Sequence, residues 1–177
     1  GDLQFVLDLL LGREARQRGY VLRTLLAAFS YLLGVLIAEV ALSIGLAEVG
    51  PARVFEAASL LAASISYGMV RWGWTRNFRD PALTMTQMLI GETMAVVAYV
   101  NFYEFRGALI GLSVAVTSFG TFNLSRNRQW AASLYALLTM GSAMLWMSVY
   151  VPMRYPPEVE AVNFLILLIL QLVGALL

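Results

Sequence analysis

The sequence predicts an all-α fold, an integral membrane bundle, and three observations carry this prediction. Of the 177 residues, 60% are apolar and 13% are charged, whereas an ordinary soluble domain has roughly 25% charged residues. The apolar residues fall into repeated blocks of about 17 to 25, the length that an α-helix needs to cross a hydrocarbon layer roughly 30 Å thick. Only short connectors separate these blocks.

Six of these blocks are long enough to cross a membrane. We therefore predict six transmembrane helices, at residues 20–46, 52–72, 83–102, 107–122, 130–150 and 159–177. Residues 20–177 would form one transmembrane domain, with residues 1–19 as a cytoplasmic segment ahead of it. The first block follows a basic stretch and has no small-residue cleavage site, so we interpret it as a permanent span and not as a signal peptide.

The segment before the first span is amphipathic. In LQFVLDLLLGREARQRG, one helical face carries Leu3, Val6, Leu9 and Leu10, and the stretch then turns basic. This pattern predicts a short helix that lies on the inner membrane surface. The same face could instead pack against a cytoplasmic partner.

The distribution of arginines predicts the orientation of the spans. All twelve basic residues are arginines. If the N-terminus is cytoplasmic, only Arg53, Arg106 and Arg154 lie outside, and the other nine lie on the cytoplasmic side. The positive-inside rule therefore places both termini in the cytoplasm.

The absence of histidine and cysteine excludes several kinds of site. The chain cannot form bis-histidine haem ligation, a thiolate or imidazole zinc site, a disulfide, a cysteine nucleophile or a Ser–His pair. Most integral-membrane oxidoreductases and many intramembrane proteases are thereby excluded. We expect no metal, no cofactor and no catalytic residue in this chain.

Glu92 is the residue that most needs a physical account, because it falls close to the midplane of the predicted third span. An ionised carboxylate there would oppose insertion by about 2.5 kcal/mol or more, so we expect Glu92 either to be protonated or to face a partner inside the bundle. It is either a hydrogen-bonded structural group, or a ligand contact or proton-sensitive switch. Met88, Val96 and Tyr99 are the candidates for the wall around it. Gln87, about 140° around the helix, is a weaker candidate for the same site.

Charged residues and prolines mark the predicted starts of two spans. Arg79 and Asp80 would lie at the inner interface, and Pro81 would begin the third span in its first turn. On the outer side, Pro156 and Pro157 would begin the sixth span. Its positive N-terminal end would be favoured by the acidic residues Glu158 and Glu160.

Four stretches in order carry a resemblance to a known family: LLLGREARQRG, NFRDPALTMTQML, RGALIGLSVAVTSFGTFNLS and RYPPEVE. Together they resemble the N-terminal membrane module of bacterial GGDEF-type diguanylate cyclases. The resemblance implies a sensory and anchoring module without catalytic residues, which acts as a homodimer in the bacterial inner membrane. No GGDEF motif occurs in the chain. Asn163 stands near a place where some relatives would carry a histidine, and we retain it as a candidate site residue.

Two classes of function follow from this sequence. In the first, the bundle senses a membrane or small lipophilic signal and passes it through the sixth span to a cytoplasmic output domain, most simply a diguanylate cyclase, or else another cyclase or a histidine kinase. The chain ends inside an apolar run, so we expect such a domain beyond Leu177. In the second, the chain is a small transporter or half-transporter that uses Glu92. A purely structural role as a membrane anchor is a further alternative. The expected partners are the lipid bilayer, a second copy of the chain and a small lipophilic ligand, but no nucleic acid.

Overall fold

The computed structural model describes residues 2–121 and 124–176. Within these ranges the chain is all-helical, as predicted, and contains no β-strand. The α-helices α1 to α7 span Asp2–Leu11, Ala15–Ser43, Val49–Arg71, Thr84–Asn101, Arg106–Thr121, Arg126–Tyr150 and Pro157–Leu176. A short 3-10 helix, Tyr103–Phe105, precedes α5. Gly1, Phe122 and Leu177, which the predicted segments include, lie outside the described residues.

Helices α2 to α7 match the six predicted spans in order, but only three of them are long and apolar enough to cross a membrane by themselves. Among the described residues these are α2, α6 and α7. The remaining helices fall short because α3 carries Arg53 and Glu56, because α4 carries Gln87 and Glu92, and because α5 has 16 described residues. The structure therefore establishes three membrane-competent helices and not six.

The six longer helices pack into one bundle around a shared core. Small residues allow α2 and α3 to approach closely: a methyl group added at Gly34 would lie 3.1 Å from the ring of Phe55. In α2 the small residues Ser30, Gly34 and Ala38 are all buried. A large part of the outer surface is apolar, with exposed leucines, isoleucines and valines along α2, α3, α6 and α7. Such a surface is suited to contact with lipid.

The small-residue face of α5 does not pack within the chain. Gly107 and Gly111 are exposed, and a methyl group added at either glycine would have no neighbour within 4 Å. Close packing inside the chain therefore explains the small residues of α2 but not Gly107 and Gly111 of α5.

Hydrogen bonds at one end of the bundle attach α1 to α3. The Tyr67 hydroxyl donates to the carbonyl of Leu10 at 2.8 Å, and Arg71 Nη2 donates to that of Leu9 at 2.8 Å. Arg18 also forms an ion pair with Asp8. The apolar side chains of α1 stay exposed: Phe5, Val6, Leu9 and Leu10. Contact of this face with the membrane surface remains a prediction. The side chain of Leu3, which the predicted face includes, lies outside the described part of the chain.

The proline-marked helix starts differ from each other. Pro157 is the first residue of α7. Pro81, in contrast, lies in a turn, and α4 begins only at Thr84, so the predicted start at Pro81 is wrong. The physical reason is the turn itself: Leu83 adopts a left-handed conformation with φ 54° before the helix begins. Asp80 still supports this helix end, because its Oδ2 accepts a hydrogen bond from the Met85 amide at 2.9 Å.

Candidate functional site

Glu92 lies on α4 with its side chain completely buried. The hydroxyl of Ser113, on α5 and also completely buried, donates a hydrogen bond to Glu92 Oε2 at 2.6 Å. No arginine is paired with Glu92 among the described ion pairs. The carboxyl group thus faces the interior of the bundle and is held by a neighbouring helix.

A third helix reaches the same place through Gln171. This residue of α7 is 1% exposed, and its Nε2 lies 3.5 Å from the Ser113 oxygen, the distance of a long hydrogen bond. The amide of Gln171 therefore points to the Ser113 hydroxyl, which in turn points to Glu92. We call these three residues the central polar chain, and it connects α4, α5 and α7.

Two oxygens of the central polar chain have no hydrogen-bond partner among the described residues. They are Glu92 Oε1 and Gln171 Oε1. Leaving a buried polar atom unpaired costs about 1 to 3 kcal/mol, so an additional donor at this place would be stabilising. A proton on the carboxyl group or a polar atom of a ligand could supply that donor.

A second buried polar cluster lies at the C-terminal end of α4. Glu160, at the start of α7, is 3% exposed, and Arg106 Nη1 lies 2.9 Å from its Oε1. The hydroxyl of Tyr99 donates to the other carboxylate oxygen. Asn163 Nδ2 lies 3.5 Å from the same hydroxyl. This outer polar cluster holds the start of α7 against α4 and α5.

Tyr155 closes the outer polar cluster on its loop side. Its hydroxyl donates to the carbonyls of Tyr99 at 3.0 Å and Val100 at 2.9 Å. Burial raises the pKa of the Tyr155 phenol to about 12, so the hydroxyl stays protonated and remains a donor at neutral pH. The loop between α6 and α7 is in this way fixed to the end of α4.

A cavity of about 280 Å³ lies between α2, α4 and α5. Gln87 and Met88 belong to its wall, together with Ser30 on α2. Gln87 Nε2 donates to the carbonyl of Ala82 at 2.8 Å. Gln87 Oε1 and Ser30 Oγ are buried and have no hydrogen-bond partner among the described residues. The residues that line the cavity are mostly apolar, and the two unpaired polar atoms are buried away from its accessible surface.

The structure distributes the predicted site residues over four places. Glu92 belongs to the central polar chain, whereas Tyr99 and Asn163 belong to the outer polar cluster. Gln87 and Met88 line the cavity between α2, α4 and α5. Val96 is half-buried and packs against the main core. The six candidates therefore do not surround one site.

Sequence reasoning missed the partners Ser113, Gln171, Arg106 and Glu160. Glu160 was assigned only to the helix start, and Arg106 only to the outer side of the membrane. A signal existed for Gln171, since an amide within the apolar run LLILQLVGALL is an expensive group in lipid. Nothing in the spacing of the sequence shows which helices bring these residues together.

Comparison with known proteins gives no further assignment. The chain matches none of the protein-family models, curated proteins and solved structures against which it was compared.

Proposed function

We propose that this chain is the membrane-embedded input domain of a bacterial signalling protein, which anchors an output domain and passes a signal to it through α7. The observation that carries the proposal is the central polar chain. Glu92, Ser113 and Gln171 are each no more than 1% exposed and lie on three different helices. A change in protonation or contacts at Glu92 alters the partners available to Gln171, and with them the position that α7 prefers.

The proposed domain crosses the membrane six times, with both termini in the cytoplasm. Supporting this, the polar side chains Glu56, Gln87 and Glu92 of α3 and α4 are buried inside the bundle. The outward faces of these two helices carry the exposed apolar side chains Leu60, Leu61, Ile65, Val97 and Val100. Polar residues that face the interior of a bundle are compatible with a span, although they lower its average hydropathy.

The output is, on this proposal, a diguanylate cyclase, and the domain works as a homodimer. Both inferences rest on the resemblance of four stretches of the sequence to the membrane modules of GGDEF-type cyclases. The exposed glycines of α5, Gly107 and Gly111, add support for the dimer, because small residues at four-residue spacing allow two membrane helices to approach closely. The signal that fits such a bundle is a small lipophilic molecule or the membrane itself.

Two measurements test this function. The codons that follow Leu177 should encode a GGDEF domain; another cyclase or a kinase domain would keep the sensory role and change the output, and a stop codon would contradict it. In the full-length protein, Gln171→Leu should change cellular cyclic di-GMP several-fold at equal expression. Val173→Leu, a change at an exposed position of the same helix, is the matched control and should leave it unchanged. Equal output from Gln171→Leu and wild type would remove α7 from the signalling path.

A further inference from the structure

We infer that a hollow between α1 and the end of α3 binds the head group of an anionic phospholipid, with the phosphate between Arg13 and Arg71 and an acyl chain along Phe5 and Leu9. The inference goes beyond the proposed function. It takes from that proposal the membrane location of the bundle, and it depends neither on a signal nor on an output domain.

The hollow lies where α1 is attached to α3. Its volume is about 410 Å³, and the residues that line it are Phe5, Asp8, Leu9, Arg13 and Arg71. Arg71 fixes the two helices to each other, because its Nε donates to the carbonyl of Leu9 at 3.0 Å and its Nη2 donates to that of Asp8 at 3.2 Å. The wall of the hollow is therefore held in place before a ligand binds, which lowers the entropic cost of binding.

The acidic side chains near the hollow already have partners. Asp8, the one carboxylate in its wall, forms an ion pair with Arg18. Glu14, which follows Arg13 in the sequence, pairs with Arg76, whose Nη2 lies 3.3 Å from Glu14 Oε2. Neither carboxylate therefore depends on an arginine of the hollow as its counter-ion.

The two arginines of the hollow have no counter-ion. Neither Arg13 nor Arg71 takes part in an ion pair among the described residues. Arg13 is exposed and Arg71 is partly exposed. Two guanidinium groups around one depression favour a phosphate, whose oxygens accept several charge-assisted hydrogen bonds at once. Their charge also disfavours the ammonium group of a zwitterionic head group, so the hollow selects an anionic lipid.

The apolar wall and the neighbouring tryptophans indicate a lipid and not a free phosphate. Phe5 and Leu9 are 67% and 61% exposed, so the hollow offers an uncovered apolar face to an acyl chain. Trp72, which follows Arg71, is exposed, and its ring centroid lies 5.6 Å from that of the exposed Trp74. Tryptophans are enriched at the head-group level of membranes. In the proposed topology, the hollow thus lies at the level of the phosphates of the inner leaflet.

Binding is measured on the purified full-length protein in a neutral detergent by native mass spectrometry, which resolves each bound lipid. The probes are dioleoyl phosphatidylglycerol, dioleoyl phosphatidylcholine with the same acyl chains, and glycerol 3-phosphate, which has the charged group alone. We expect phosphatidylglycerol to bind about 25-fold more tightly than phosphatidylcholine, since each arginine contributes roughly a factor of five toward an anionic lipid. Glycerol 3-phosphate in large excess should displace neither lipid.

Variants assign the contacts. Arg13→Gln should weaken phosphatidylglycerol about fivefold and leave phosphatidylcholine unchanged. This side chain is exposed and unpaired, so the fold should be retained. Arg126→Gln removes an exposed arginine of the same predicted membrane side that does not line the hollow, and it should change neither lipid. Phe5→Ser removes apolar contact from an exposed position and should weaken both lipids several-fold.

Three results would overturn the site. They are equal affinity of the wild type for the two lipids, an Arg13→Gln variant that binds phosphatidylglycerol as the wild type does, and an equal loss in Arg126→Gln, which would show a general attraction to the basic side of the molecule. Displacement of phosphatidylglycerol by glycerol 3-phosphate would contradict a lipid as the occupant. None of these results involves cyclic di-GMP, so the site and the signalling role of α7 can fail separately.

Discussion

At the scale of single residues, Glu92 is hydrogen-bonded by the hydroxyl of Ser113 and is paired with no arginine among the described residues. Its burial and its need for a polar partner could be predicted from the apolar run around it. The identity of the residues around it could not be predicted, because Ser113 and Gln171 lie on α5 and α7. How closely these residues approach α4 depends on how the helices cross. For the same reason Tyr99, predicted near Glu92, bonds instead to Glu160.

Substitutions at Glu92 should separate packing from signalling. Glu92→Gln keeps an oxygen that accepts from Ser113, so the free energy of unfolding in mixed micelles should be nearly unchanged. Glu92→Leu leaves the Ser113 hydroxyl without its acceptor and should lower it by about 1 to 3 kcal/mol. If Glu92 responds to protons or to a ligand, Glu92→Gln should also shift cellular output over pH. Wild-type output from both variants, at equal expression, would leave Glu92 without a sensory role.

The outer polar cluster contains the interaction with the largest expected effect on stability. Arg106→Gln would leave the carboxylate of Glu160, whose side chain is 4% exposed, without its cation. We expect the free energy of unfolding to fall by about 3 kcal/mol. The double variant with Glu160→Gln removes both charges and should recover part of this loss. A single variant as stable as wild type would show that the ion pair does not hold α7 in place.

At the scale of helices, local signals predicted some boundaries and failed at others. Pro157 begins α7, as expected of a proline, which is favoured in a first helical turn. Pro81 occurs in a similar local pattern but lies in a turn, where the hydroxyl of Thr75 donates to its carbonyl at 2.5 Å. The sequence does not show this turn, because it depends on the contact between Thr75 and Pro81 and on the left-handed Leu83.

The exposed small-residue face of α5 should be part of the dimer interface. Gly111→Leu places a bulky side chain where two helices would approach closely, so the dimer fraction should fall several-fold. Ala57→Leu, an exposed small residue on α3, is the matched control and should leave the fraction unchanged. Single-molecule photobleaching in lipid vesicles measures both. An unaffected dimer in Gly111→Leu would place the interface elsewhere.

At the scale of the whole molecule, composition was enough to predict an all-helical fold with helices that are long and apolar enough to cross a membrane. The number of spans is harder to predict, because hydropathy averages over both faces of a helix. In α4 the amide of Gln87 and the carboxyl of Glu92 lower that average, although both are buried in the bundle. Three of the described helices are membrane-competent by length and composition. The proposal of six transmembrane helices depends on the burial of these polar side chains inside the bundle.

Labelling of single cysteines should determine the topology. Met153, in the loop between α6 and α7, is 95% exposed, which makes it a better labelling site than the buried Tyr155 nearby. Met153→Cys should react with an impermeant thiol reagent added outside cells, and Ser125→Cys should react only after permeabilisation. The chain has no natural cysteine, so each signal belongs to the introduced residue. Equal reaction of both from outside would contradict cytoplasmic termini.

The central claim is that α7 passes a signal out of the bundle. The most direct test inserts one, two, three and four alanines after Leu177 in the full-length protein and measures cellular cyclic di-GMP at equal expression. Each residue rotates the following helix by about 100°, so output should vary with the number of residues and return close to its wild-type value near a full turn. Output that is the same for every insertion would contradict transmission through α7 and leave the domain as a passive anchor.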